Sequence, residues 1–110
     1  MALTHSHLHN ETIKATAVVA AKRFVLSAGT HCGAGAKAVG ISVVEAAAAG
    51  DYFSVCTNGV AVLEAGATVT PDQEIESDAN GKGIPLASGI SNGIALDGAS
   101  SGEFFRIVLR

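Results

Sequence analysis

The stretch Tyr52-Phe53-Ser54-Val55-Cys56-Thr57-Asn58-Gly59-Val60-Ala61-Val62-Leu63 decides how the chain is read. Two short apolar runs, rich in β-branched and aromatic residues, flank Thr57-Asn58-Gly59. Asn-Gly between two such runs is a strong hairpin signal, because a type I′ turn needs positive φ at both central residues. The stretch therefore predicts two strands joined at Asn58-Gly59. The same alternation continues outward, with short apolar runs at 38–43, 68–70, 83–86, 93–96 and 104–109. Between them stand Ala49-Gly50-Asp51, Ala65-Gly66-Ala67, Pro71-Asp72, Asp78-Ala79-Asn80-Gly81 and Leu96-Asp97-Gly98. Many short strands with regular Gly and Asn/Asp punctuation define an all-β protein, a small β-barrel or β-sandwich. Asn80-Gly81 is a second hairpin site.

Composition bounds what such a fold can do. At 110 residues the chain makes one domain. It is 48% hydrophobic, yet it has no Trp, four Phe and one Tyr, so the apolar bulk is alanine and valine. At about 25 cal/mol per Å², small side chains gain little against the backbone entropy of a glycine-rich chain, and part of the stability is expected from subunit assembly. Seven Lys and Arg in a chain of net charge −3 offer no basic surface for nucleic acid. The apolar runs Ala15–Ala21 and Ala46–Ala49 are far shorter than the roughly 20 residues that cross a bilayer, and no basic flank precedes an apolar run as in a secretory signal. A soluble protein, not exported by that route, is the expectation. Cys32 and Cys56 lack both CxxC spacing and the density of a disulfide scaffold, and read as free thiols acting as small apolar residues.

The charges are unevenly spread. Residues 1–40 hold Lys14, Lys22, Arg23 and Lys37 against Glu11 alone, a net of +3, while residues 41–110 hold nine acids against Lys82, Arg106 and Arg110, a net of −6. All 13 glycines lie between Gly29 and Gly102. This divides the chain into an N-terminal arm, 1–22, and a β-rich domain, 23–110. Met1–Asn10 has no core pattern and is expected to be a mobile arm in the free protein. Thr12–Leu26 reads as extended, with a strand around Arg23–Ser27. Val44–Ala49 has helix propensity but is too short to nucleate a helix, which leaves a single turn or a β-loop.

His5, His7 and His9 alternate, so an extended strand would place them on one face, where a transition metal could bind loosely. With no carboxylate to orient the rings, a polar arm is the preferred reading. His31-Cys32 could suggest a thiolate–imidazole pair, but neighbours on a strand point to opposite faces. Gly29–Lys37 lacks the spacing of a phosphate-binding loop and no long helix follows it. Glu64, Asp72, Glu74, Glu76 and Asp78 are the densest acids, and Glu74 and Glu76 flank Ile75 as on a half-solvated strand. No catalytic, metal or cofactor site is expected, and function is placed in surface and assembly.

The order of the phrases Ala38-Val39-Gly40-Ile41, Ala47-Ala48-Ala49-Gly50-Asp51, Gly59-Val60-Ala61-Val62-Leu63-Glu64-Ala65-Gly66, Val69-Thr70-Pro71-Asp72, Ser77-Asp78-Ala79-Asn80-Gly81-Lys82-Gly83 and Gly93-Ile94-Ala95-Leu96, closing near Phe105-Arg106-Ile107-Val108-Leu109, resembles the small capsid cement or decoration proteins of tailed phages. The resemblance covers residues 24–110. Pro71-Asp72 departs from it, since the family often carries Gly before that Asp. It implies a non-enzymatic β-rich protein that binds the outside of an assembled phage head, often as trimers, and stabilises the shell. It also implies an extended N-terminal segment that touches the major capsid protein or a neighbouring subunit, here Met1 to Lys22. Such a protein works on the outer capsid surface of the virion, after a period in the host cytoplasm during assembly.

The first reading is therefore a structural decoration protein that needs no cofactor. Leu3, Leu8 and Ile13 are the expected apolar anchors, with Lys14, Lys22 and Arg23 meeting acidic surface on the shell or a neighbour. The alternative is a carbohydrate- or receptor-binding module on a virion surface, which would present exposed rings from among Phe24, Tyr52, Phe53, Phe104 and Phe105. A small hydrolase using His31 or Cys56 is a third reading, with no activity suggested.

Overall fold

The computed structural model describes residues 6–109. It contains β1 (Ser6–Lys14), β2 (Phe24–Val25), β3 (Gly40–Ser42), β4 (Tyr52–Glu64), β5 (Glu74–Ser77), β6 (Gly83–Pro85), β7 (Gly93–Ala95) and β8 (Phe104–Leu109), with no helix among the described residues. The strands form one antiparallel sheet in the order β2-β3-β4-β8-β7-β5-β6, and β1 pairs with β4 off this path. The ends of the sheet come together: the Phe24 N–H of β2 donates to Gly81 C=O, in the turn between β5 and β6, at 2.7 Å. The all-β expectation thus resolves to a nearly closed small barrel, and the Asn80-Gly81 hairpin lies at its seam.

Asn58-Gly59 is not a hairpin turn. β4 runs through it as a single strand of thirteen residues. A straight strand of that length would span about 40 Å, more than the 35 Å longest dimension of the molecule. β4 must bend, and Gly59, at φ +103°, lies where the register of β1 becomes irregular opposite it. Positive φ, which the sequence supplies for a turn, here serves a bend. Partners on both sides keep the segment extended: β1 takes one edge from Tyr52 to Val60, while β3 and then β8 take the other.

The core follows strand alternation. One cluster inside the barrel gathers Phe24, Ile41, Leu63, Ile75, Phe105 and Ile107, all essentially without exposure. Each contributes about 1.5–3 kcal/mol by leaving water. A second cluster joins Ala15, Val19, Val25, Ala46, Phe53 and Val55, with Ile13 packed against it. The N-terminal segment thus differs from a mobile arm over the residues described. Ser6–Asn10 already belong to β1, and Ala15 and Val19 are small enough to fit beneath Phe53 and Val55 in the core.

Glu74 and Glu76 also part from the expected half-solvated strand. Glu74 is exposed, but Glu76 is buried, because loops 33–37 and 86–91 cover the outer side of β5. The Ala87 N–H donates to Glu76 Oε1 at 2.9 Å, Gly35 N–H to Ser77 C=O at 2.8 Å and Ile90 N–H to Gly35 C=O at 2.9 Å. Asn92 ties the same loops, accepting from Ala38 N–H at 3.0 Å and donating to Ala36 C=O at 3.1 Å.

Candidate attachment surface

The residues considered for catalysis are absorbed by the fold. His31 Nε2 accepts from the Ala20 N–H at 3.0 Å, and burial, with Arg23 nearby, lowers its pKa. Cys32 Sγ donates to Ala36 C=O at 3.4 Å and Cys56 Sγ to Asn58 C=O at 3.2 Å. Burial pushes both thiols up, the reverse of what a nucleophile needs. Glu64 is held between Arg23, at 3.2 Å, and Lys82, at 3.3 Å, and Asp78 Oδ1 accepts from the N–H groups of Asn80 and Lys82 in the seam turn. Among the described residues no three His, Cys, Asp or Glu converge as metal ligands. His5 lies outside those residues, His7 is placed only as a backbone position in β1, and His9 pairs with Glu11 at 2.6 Å.

The six expected contact residues fall into separate places. Leu3 lies outside the described residues, and Leu8 is a backbone position in β1. Ile13 is half-buried against the second core cluster. Lys14, exposed, ends β1 opposite Tyr52. Lys22 stands with its ammonium 5.5 Å from the centre of the Phe104 ring, and Arg23 binds Glu64 and donates to Asn80 C=O at 3.1 Å. The fold thus groups Ile13 with Lys14, and Lys22 with Arg23, rather than all of them on one arm.

A surface that the sequence reading missed lies beside Lys14. Segments 14–19 and 46–52 run side by side: Ala15 N–H donates to Asp51 C=O and Gly50 N–H to Ala15 C=O, each at 2.7 Å, and Val19 and Ala46 exchange both hydrogen bonds. This two-segment flank exposes Ala17, Val18, Ala47, Ala48, Ala49 and Tyr52, with Val18 65% and Tyr52 68% exposed, and Val44 is exposed nearby in sequence. Exposed apolar residues thus stand together on two neighbouring segments, a candidate for contact with another protein. The available signal was Ala46–Ala49, a small apolar run with no helix to bury it. The rings give no sugar platform: Tyr52 opens β4, while Phe104 stands opposite Glu64 at its far end, and Phe24, Phe53 and Phe105 are buried.

Barrel and flank together define a small all-β protein with an exposed apolar flank. The chain belongs to the phage cement protein family, whose model matches residues 5–110. It is a structural protein of a phage capsid. The solved crystal structure of the head fibre gp8.5 N base of bacteriophage phi29 has a similar fold, with a TM-score of 0.77, 19% identity and 93% of each chain covered. No curated protein matches the chain.

Proposed function

We propose that the protein is a non-enzymatic decoration protein that binds the outer surface of an assembled phage head through the major capsid protein and stabilises the shell. Membership of the cement protein family over residues 5–110 is the observation that carries this reading. The attachment surface in this proposal is the apolar flank of segments 14–19 and 46–52 together with Lys14, with Leu3, ahead of β1, and Leu8, within β1, as anchors. Lys22 and Arg23 remain candidates for contact with a neighbouring subunit in a trimer. The protein would meet the head in the host cytoplasm and remain on the virion exterior.

The test mixes purified protein with heads that lack it and measures co-sedimentation and the temperature at which the heads release DNA. Saturable binding and a raised release temperature are expected. Absence of binding to both expanded and unexpanded heads would overturn the proposal. Binding of the free protein to a glycan array, without head binding, would support the carbohydrate reading instead.

A further inference from the structure

Among the described residues, the outer edge of β1 is left without a strand. β4 is paired on both sides, but β1 pairs only with β4, and no described strand lies on its other edge. The direction of its backbone groups can be read from β4. Ser54 C=O accepts from Val43 N–H at 3.0 Å, on the side of β4 away from β1, so Thr12 and Ser54 form a non-hydrogen-bonded pair. The N–H and C=O of Thr12 therefore point outward. Alternation turns those of Asn10 and Lys14 the same way, and Ala15, which turns inward to Asp51 and Gly50, keeps the same parity. An edge of this kind is a template for another strand; β1 carries no proline, and its register against β4 is regular from Asn10 to Lys14, the irregularities lying between His7 and Asn10.

We propose that this edge pairs, antiparallel and centred on Asn10, with the same edge of a second copy of the chain. Side-chain complementarity selects both the occupant and the register. His9 and Glu11, each 58% exposed, lie on one face of β1 at 2.6 Å. In a pair centred on Asn10, His9 of each copy stands opposite Glu11 of the other, so each carboxylate meets an imidazole across the pair. A register centred on Thr12 would set Glu11 opposite Ile13 and lose both contacts. Because Asn10 turns outward, the central pair is hydrogen-bonded, with its Cα atoms about 5.5 Å apart. This contact goes beyond attachment to the shell: it would join decorating subunits sideways through a continuous sheet, and it can be measured on purified protein without heads.

The test uses the full chain. Asn10→Cys should form a disulfide-linked dimer under mild oxidation, since about 5.5 Å lies within the roughly 4.4–6.8 Å range of Cα separations that a disulfide spans. Cys32 and Cys56 are buried and do not compete. Thr12→Cys, which in this register stands about 13 Å from its counterpart, should stay unlinked. Glu11→Lys and His9→Glu should each weaken the association seen by sedimentation about tenfold. An equimolar mixture of the two variants should restore it, because each then supplies what the other lacks. Failure of Asn10→Cys to cross-link, equal cross-linking by Thr12→Cys, or charge variants that sediment like the parent and show no recovery on mixing would each overturn the proposal.

Discussion

The Ala20 N–H ends on His31 Nε2 at 3.0 Å, which ties the segment leading out of β1 to the loop that follows β2. An imidazole that accepts at Nε2 carries its proton on Nδ1 and is neutral. Protonation removes the acceptor and sets a cation near Arg23. Burial first, and Arg23 second, hold the pKa below its ordinary 6.5. Since the unfolded chain takes up this proton more readily than the folded one, stability is complete above about pH 6.5 and falls as the pH drops from there toward the lowered folded value. Melting temperatures measured from pH 8 to 5 should decline in that window. His31→Gln should flatten the decline, and an unchanged profile would refute the assignment.

Gly81 closes the barrel. It sits at φ +78°, and a Cβ there would lie 2.5 Å from Phe24 C=O, the neighbour whose own N–H donates to Gly81 C=O. Gly81→Ala combines a strained backbone with a clash at the seam, and should destabilise the fold by about 2–3 kcal/mol in chemical denaturation. Gly50→Ala is the control. It has the same sign of φ, +97°, but open space around the added atom, so it should cost clearly less.

These two cases show which parts of the fold can be read in advance. Strand content, the Asn80-Gly81 turn and the buried thiols follow from local residue patterns. Asn58-Gly59 carries the same local signal and yet lies within a strand, because its fate depends on β1, β3 and β8, whose pairing is decided far away in sequence. Glu76 is hidden for the same kind of reason, as two distant loops cover it. Tyr52 and Val18 look like core residues and lie outside because β4 and the 14–19 segment reach the flank there. Local composition names the elements, while long-range pairing decides which apolar residues stay exposed.

The thiols test the rigidity of the barrel. Cys32 and Cys56 are both buried in the same core cluster, and burial raises both pKa values. Reaction with a thiol reagent then requires opening of the core. Labelling in native buffer should be at least about 1000-fold slower than in denaturant, and both thiols should react at one common rate. Rapid labelling of either in native buffer would show a barrel that opens locally.

The apolar flank makes the last prediction. If it is the face that meets the shell, a charge at Val18 or Tyr52 must be desolvated on binding, whereas in the free protein it stands in water at no cost. Val18→Asp and Tyr52→Asp should therefore leave the melting temperature within a few degrees of the parent and weaken head binding about tenfold or more. Lys22→Ala supplies the contrast. It removes the cation over Phe104, 5.5 Å from the ring centre and away from the flank, so head binding should persist if Lys22 faces a neighbouring subunit instead. Titration of fluorescent protein onto heads separates these outcomes. Equal loss with all three variants would mean that a single surface, larger than the flank, meets the shell, and unchanged binding by Val18→Asp and Tyr52→Asp would remove the flank from the contact.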